Sequence, residues 1–368
     1  MQWSIQTADT NLFLMDRSIN QEAISVIQKW VSQQGEKTAD SLSHLARMCN
    51  LPTDFGAQLQ TLVQRKGRIA LHFHPYRRDA KGQTVLEGLT QRGYYQNQFE
   101  TGISNGSLTA YPGGLRDQWE NRLFGGIFQF GQIPHRLRPK YGALRLLNQP
   151  EGPSPRFGSC YLLLKPELNM AATYTYGDSY YNPLVKGHGG NLLPILVALM
   201  EESFSQDLAF GLHPVRPPEL VQRITETLHE EVLPLPDLPP TRSLDSYIEA
   251  QIHGVISLKE DVDYLIADPS FRGTSFEVLM RELCDSYEIQ LAWHSGFDLT
   301  VSQVPLNFRG PFMRELASSI AERDSVNAYM LAKAEEKVFE ARAGSSSKLQ
   351  ELKYLWHVLV KFGKPIVD

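Results

Sequence analysis

The sequence predicts an α+β protein whose strands form antiparallel or mixed sheets. Three observations carry that expectation. Residues 247–253 alternate Tyr247, Glu249, Gln251 and His253 with Ile248, Ala250 and Ile252, the period-two pattern of a strand with one oily and one polar face. A second strand pattern, I-A-L-H-F-H over residues 69–74, also places histidines on one face. Short strand and helix patterns then follow one another without regular strand–helix alternation, which argues against a doubly wound parallel sheet.

Taken in chain order, residues 18–66 read as helical. Ala23, Ile24, Val26, Ile27 and Trp30 recur at helical spacing, as do Leu42, Leu45, Ala46 and Met48, then Phe55, Leu59, Leu62 and Val63. A strand over 68–74 ends at Pro75. Residues 84–92 read as a short helix, and 94–118 as a loop broken by Gly102, Gly106, Pro112, Gly113 and Gly114. Helical pattern returns over 116–124. Strands are expected over 141–147, 159–165 and 172–176, and helices over 191–204 and 217–232. The run L-P-L-P-D-L-P-P over 233–240 is a rigid connector. The strand bearing Glu249 comes next, then a short element over 262–266, a helix over 274–286 and a strand over 289–293. Residues 311–362 are mostly helical, divided by Gly344 and the serines after it. This gives three segments: a helical cap (1–66), a core (67–310) and a helical extension (311–368).

With 368 residues, 42% of them hydrophobic and 21% charged, the chain has ample material for a core. The formal charge of −5 argues against general nucleic-acid binding, which needs a basic face, although R-L-R-P-K over 136–140 is a local basic patch. There is no run of about 18 apolar residues, so no membrane span is expected. No classical signal peptide is visible at the N-terminus. Cys49, Cys160 and Cys284 are odd in number and scattered, which suits a reducing cytosol. The expected location is therefore cytoplasmic, or outside the cell by a specialised secretion system.

A carboxylate, an amide, an imidazole and a phenol on one strand face cost solvation if that face is covered, which is tolerated mainly in a cleft that does chemistry. The plain alternative is an edge strand whose polar face meets water. Around Glu249, other stretches can supply a site. His72 and His74 are spaced to enter one pocket, followed by Arg77. The loop T-G-I-S-N-G-S-L-T-A-Y-P-G-G over 101–114, with Ser104, offers N–H groups and hydroxyls to an anion, and Arg116 adds a cation. Small residues at 158–160 let a ligand approach backbone at Ser159. The histidine pair alternatively suits a metal-dependent hydrolase of the H-x-H type, which needs further ligands from other strand ends. A non-catalytic recognition groove is a third reading.

The order of these elements resembles the ADP-ribosyltransferase superfamily. His72 in L-H-F-H-P matches its first motif, Ser159 or Tyr141 its second, and Glu249 in Y-I-E-A-Q-I its third. The strings T-G-I-S-N-G-S-L-T-A-Y-P-G-G, R-D-Q-W-E-N-R-L-F-G-G and E-A-Q-I-H-G-V-I are similar to an uncharacterised bacterial domain family associated with effectors that ADP-ribosylate threonine on ubiquitin. The resemblance spans roughly residues 65–310.

It implies a split-sheet core of the ADP-ribosyltransferase type and a mono-ADP-ribosyltransferase that uses NAD as substrate and modifies a protein, with ubiquitin as the named acceptor. It makes Glu249 catalytic and sets His72, His74, Arg77, Ser104, Arg116, Ser159 and Gln251 around NAD, with no metal. His72 would hold a ribose, Arg116 or Arg77 the pyrophosphate, and Tyr94, Tyr95 or Tyr174 would stack on nicotinamide. One departure stands out. Arginine-modifying members carry E-x-E where this chain has Glu249, Ala250 and Gln251, which fits a Ser or Thr hydroxyl acceptor no worse.

Overall fold

Strand alternation and helix caps written in the sequence reappear as local structure. The computed structural model describes residues 2–103, 110–129, 133–341 and 345–366. Helices α1 (Gln2–Gln33), α2 (Gly35–Cys49) and α3 (Phe55–Lys66) precede strand β1 (Arg68–Phe73). Helix α4 (Val85–Arg92) is bounded by a capping box. Thr84 accepts from the Glu87 N–H, Glu87 accepts from the Thr84 N–H, and Gly93 closes the helix at φ 72°. The expected loop over 94–118 contains a helical turn, α5 (Gln98–Thr101), and α6 (Leu115–Phe124) begins one residue before its expected start.

The strands β2 (Lys140–Arg145), β3 (Cys160–Leu164), β4 (Ala172–Tyr176) and β5 (Lys186–His188) follow, then helices α7 (Leu193–Gln206) and α8 (Pro217–His229). After these come β6 (Ile248–Ile252), α9 (Leu258–Asp261), β7 (Val262–Ala267), α10 (Ser275–Tyr287) and β8 (Gln290–Trp293). The chain ends with β9 (Leu299–Thr300), α11 (Met313–Ile320), β10 (Ser325–Val326), α12 (Ala328–Ala341) and α13 (Ser345–Phe362). Strand β5 had no clear pattern in the sequence, because three residues are too few for alternation to register.

The first eight strands share one hydrogen-bonded sheet, in the order β5-β4-β6-β2-β1-β3-β7-β8, rather than two separate surfaces. Its pairs are antiparallel except β7 with β8, so the sheet is mixed. One face carries Ile69, Leu71, Leu162, Tyr174, Ile248, Ala250 and Ile252 into the main core. Helices α3, α7 and α8 pack on one another and supply part of that core. The same core contains Leu45 and Phe55 from the N-terminal helices, and Leu331 and Trp356 from the C-terminal ones.

The opposite face is divided. A small apolar patch of Ala70, Tyr161, Leu163 and Ile266 is met by Val232 and Leu235 at the rigid connector. Farther along the sheet, Ile19, Ala23, Ile27 and Val31 of α1 pack with Leu123 and Phe124 of α6. Phe124 stands edge-on to His253, with ring centres 5.3 Å apart. The polar face of β6 is thus covered, not left to water as in an edge strand. Among the described residues no helix is long and apolar enough to cross a membrane.

Candidate functional site

Three adjacent strands present polar side chains to one cavity. Glu249 comes from β6, Tyr141 from β2 and His72 from β1, and these strands lie side by side in the sheet. In register, Glu249 faces Ala143 and Gln251 faces Tyr141. The chamber has a volume of about 410 Å³ and is completed by Arg116, Arg156, Phe157, Asp178 and Tyr247. A side pocket of about 90 Å³ shares His72 and Tyr95 with it and continues to His74 and Arg77.

The Glu249 carboxylate is 6% exposed. Its Oε1 accepts from Gln251 Nε2 at 2.9 Å, and its Oε2 lies 3.4 Å from the Ser179 N–H. Burial raises its pKa to about 7, and the Asp178 charge adds to the rise. The donors at Ser179 and Gln251 and the Arg116 charge oppose it. Gln251 is fully buried behind Glu249 and accepts from Thr173 Oγ1 at 2.9 Å. That bond fixes which end of the amide meets the carboxylate. Gln251 therefore orients Glu249 and does not itself line the chamber.

Arg116 lies between two rings, 4.7 Å from the centre of Trp119 and 4.6 Å from that of Tyr141. It makes no salt bridge among the described residues. Tyr141 donates to Glu120 at 3.0 Å, and Arg138 donates to the other Glu120 oxygen at 2.8 Å. Arg138 also pairs with Asp117 at 2.6 Å. Full burial lifts Glu120 to about 7 despite Arg138 beside it. This buried set anchors the wall on which Arg116 is held.

His72 is neutral. The Ser154 N–H donates to its Nε2 at 3.3 Å, Nδ1 lies 3.4 Å from the Gly158 carbonyl, and burial pulls its pKa down to about 3. The ring lies against Tyr161, with centres 4.9 Å apart. Gly152 closes the other side at φ +81°, where a Cβ would sit 2.6 Å from His72 Nε2. Gly152→Ala should therefore destabilise the fold by about 2 kcal/mol, from the left-handed backbone and from overpacking. Urea denaturation checks this, and unchanged stability would mean that the loop at 150–158 yields freely.

His74 and Arg77 belong to the side pocket. Tyr76 Oη is 3.1 Å from His74 Nδ1, and Arg77 Nε lies 3.3 Å from Glu335 of α12 in a buried ion pair. Ser159, expected at the ligand, lines neither chamber. It is 1% exposed, its hydroxyl faces His74 Nδ1 at 3.4 Å and its carbonyl accepts from His294 at 3.0 Å. Tyr141 occupies the wall instead. Tyr174, proposed to stack on nicotinamide, is buried on the opposite face of the sheet and cannot reach the chamber. Tyr95 does line it. Ser104 lies outside the described residues.

The hydrolase alternative finds both His72 nitrogens and His74 Nδ1 engaged within the protein. Among the described residues no group of three or more His, Cys, Asp or Glu is placed to hold a metal. Tyr247, on the polar face expected from the sequence, lines the chamber, and Arg156, Asp178 and Lys353 join it as wall residues to which the sequence assigns no role. The R-F-G turn and the G-D-S turn were visible signals for Arg156 and Asp178. Lys353 had none, because it sits in an ordinary helical pattern about a hundred residues from Glu249.

A protein-family profile described as "Protein of unknown function (DUF3626)" matches residues 68–362. That span takes in every strand of the sheet and α13. No curated protein matches the chain.

Proposed function

The chain belongs to the DUF3626 family, and from the cavity within the matched span we propose an NAD-dependent mono-ADP-ribosyltransferase that modifies a protein hydroxyl. The observation that carries this reading is Glu249. It is a buried carboxylate on the wall of a chamber that also presents aromatic rings and two guanidinium groups, and its pKa is lifted to about 7. Rings suit the flat bases of a dinucleotide, and guanidinium groups suit its phosphates.

In the proposed reaction the bond between nicotinamide nitrogen and the ribose anomeric carbon breaks, and its electron pair neutralises the pyridinium. Positive charge then develops on the ribose. The Glu249 carboxylate, buried and held by Gln251, stabilises that charge without reorganising. The oxygen of an acceptor Ser or Thr attacks the anomeric carbon, and its proton passes to Glu249. A base poised near neutrality suits that transfer. The Gln251 amide serves to hold Glu249. The acceptor protein proposed is ubiquitin.

The test is nicotinamide release from NAD by the purified protein, alone, with ubiquitin and with a cell lysate, beside Glu249→Ala. Release or protein labelling that disappears in the variant supports the reading. Equal release from both proteins, or none under any condition, overturns it.

A further inference from the structure

The C-terminal helix reaches the chamber. Trp356 of α13 is buried and donates through Nε1 to the Pro155 carbonyl at 2.8 Å, which pins the helix to the turn carrying Arg156 and Phe157. Lys353 precedes Trp356 by about one helical turn, so the two share a side of α13. Lys353 is half-buried and forms part of the chamber wall.

The other charged groups named on that wall are engaged. Arg156 pairs with Asp245 and lies 3.8 Å from Asp178. Arg116 is held between rings, and Glu249 accepts from Gln251. Lys353 has no hydrogen bond or ion pair among the described residues. Its surroundings are mainly cationic. Arg156 in the adjoining turn, Arg77 after β1 and Arg309 before α11 all oppose its charge, and Asp178 after β4 favours it. Burial first, and then these cations, hold its pKa down to about 8. The same cations act on His357 of the same helix, which burial and their charge keep neutral, at about 2.

A half-dry ammonium among like charges is unfavourable in the free protein, and an entering anion relieves it. A lone carboxylate would leave most of the 410 Å³ chamber and its rings unused. An aromatic ligand carrying phosphate uses both.

We propose that Lys353, with Arg156 beside it, binds a phosphate group of a nucleotide ligand, so that the C-terminal helix completes the site. If the ligand is NAD, which rests on the transferase reading, that group is the diphosphate.

The test is calorimetric titration of the full chain with inorganic pyrophosphate, ADP-ribose and adenosine, using wild type, Lys353→Ala and Lys353→Arg. ADP-ribose and pyrophosphate should bind about tenfold more weakly to Lys353→Ala at about pH 7, with Lys353→Arg close to wild type. Adenosine, which has no phosphate, should bind all three alike. Between about pH 7 and about pH 9.5, wild-type affinity for ADP-ribose should fall about tenfold more than that of Lys353→Arg, because Glu249 ionises in both proteins while the ammonium deprotonates only in wild type.

Equal anion affinity in Lys353→Ala, or no binding of either anion by wild type, overturns the proposal. Nicotinamide release measured on the same samples separates the two readings. Lys353-dependent anion binding without NAD cleavage leaves the subsite standing and removes the transferase. NAD cleavage with Lys353-independent anion binding does the reverse.

Discussion

Glu249→Gln should lower NAD cleavage by about a thousandfold, the scale lost when a preorganised charge is removed from a developing transition state. It should also make the folded protein more stable above neutral pH. A carboxyl whose folded pKa is about 7, against an ordinary 4.5, binds its proton more tightly when native. Between those two values the folded chain holds the extra proton, so stability falls as pH rises through the window. Above it, the buried charge costs about 3 kcal/mol, which an amide avoids. The glutamine carbonyl still accepts from Gln251, but its NH₂ would face the Ser179 N–H, so the net gain is smaller than that figure. Urea denaturation at about pH 8 should show the variant ahead of wild type, with the advantage gone by about pH 4. Equal destabilisation at both pH values would mark Glu249 as a structural carboxylate and remove the central support for the proposed chemistry.

Trp356→Ala should cost about 3–5 kcal/mol of folding stability, the range for deleting a large buried aromatic. The ring is 1% exposed and stands edge-on to His74 and Phe297, with centres 5.2 and 5.5 Å away. Its N–H satisfies the Pro155 carbonyl. Trp356→Phe keeps most of the packing and loses that hydrogen bond, so about 1 kcal/mol is expected. The alanine variant should also weaken the site, because the 150–158 stretch that holds His72 through the Ser154 N–H would lose its brace. A loss well under 1 kcal/mol in Trp356→Ala would show that α13 is a detachable cap, despite its place in the main core.

The sequence alone determined the longer strands and helices, though not the three-residue β5 or the turn α5. Ile248, Ala250 and Ile252 alternate with Glu249 and Gln251, and a pleated strand turns that alternation into two chemically different faces whatever surrounds it. Thr84, Glu87 and Gly93 bound α4 because a capping box and a left-handed glycine act within a few residues. Glu249, His72 and Arg116 were legible as site candidates for the same reason, since each stood out against its own neighbours.

The rest depended on contacts between distant parts of the chain, which no local pattern encodes. Strand order placed β2 between β6 and β1, so Tyr141 reached the chamber while Ser159, before β3, turned away from it. Gln251 looked like a ligand contact until Thr173 on β4 fixed its amide. Tyr174 was excluded by which sheet face met the core. Lys353 and Glu249 line one chamber because α13 docks on the turn at Pro155, and that docking is decided by the tertiary packing of Trp356.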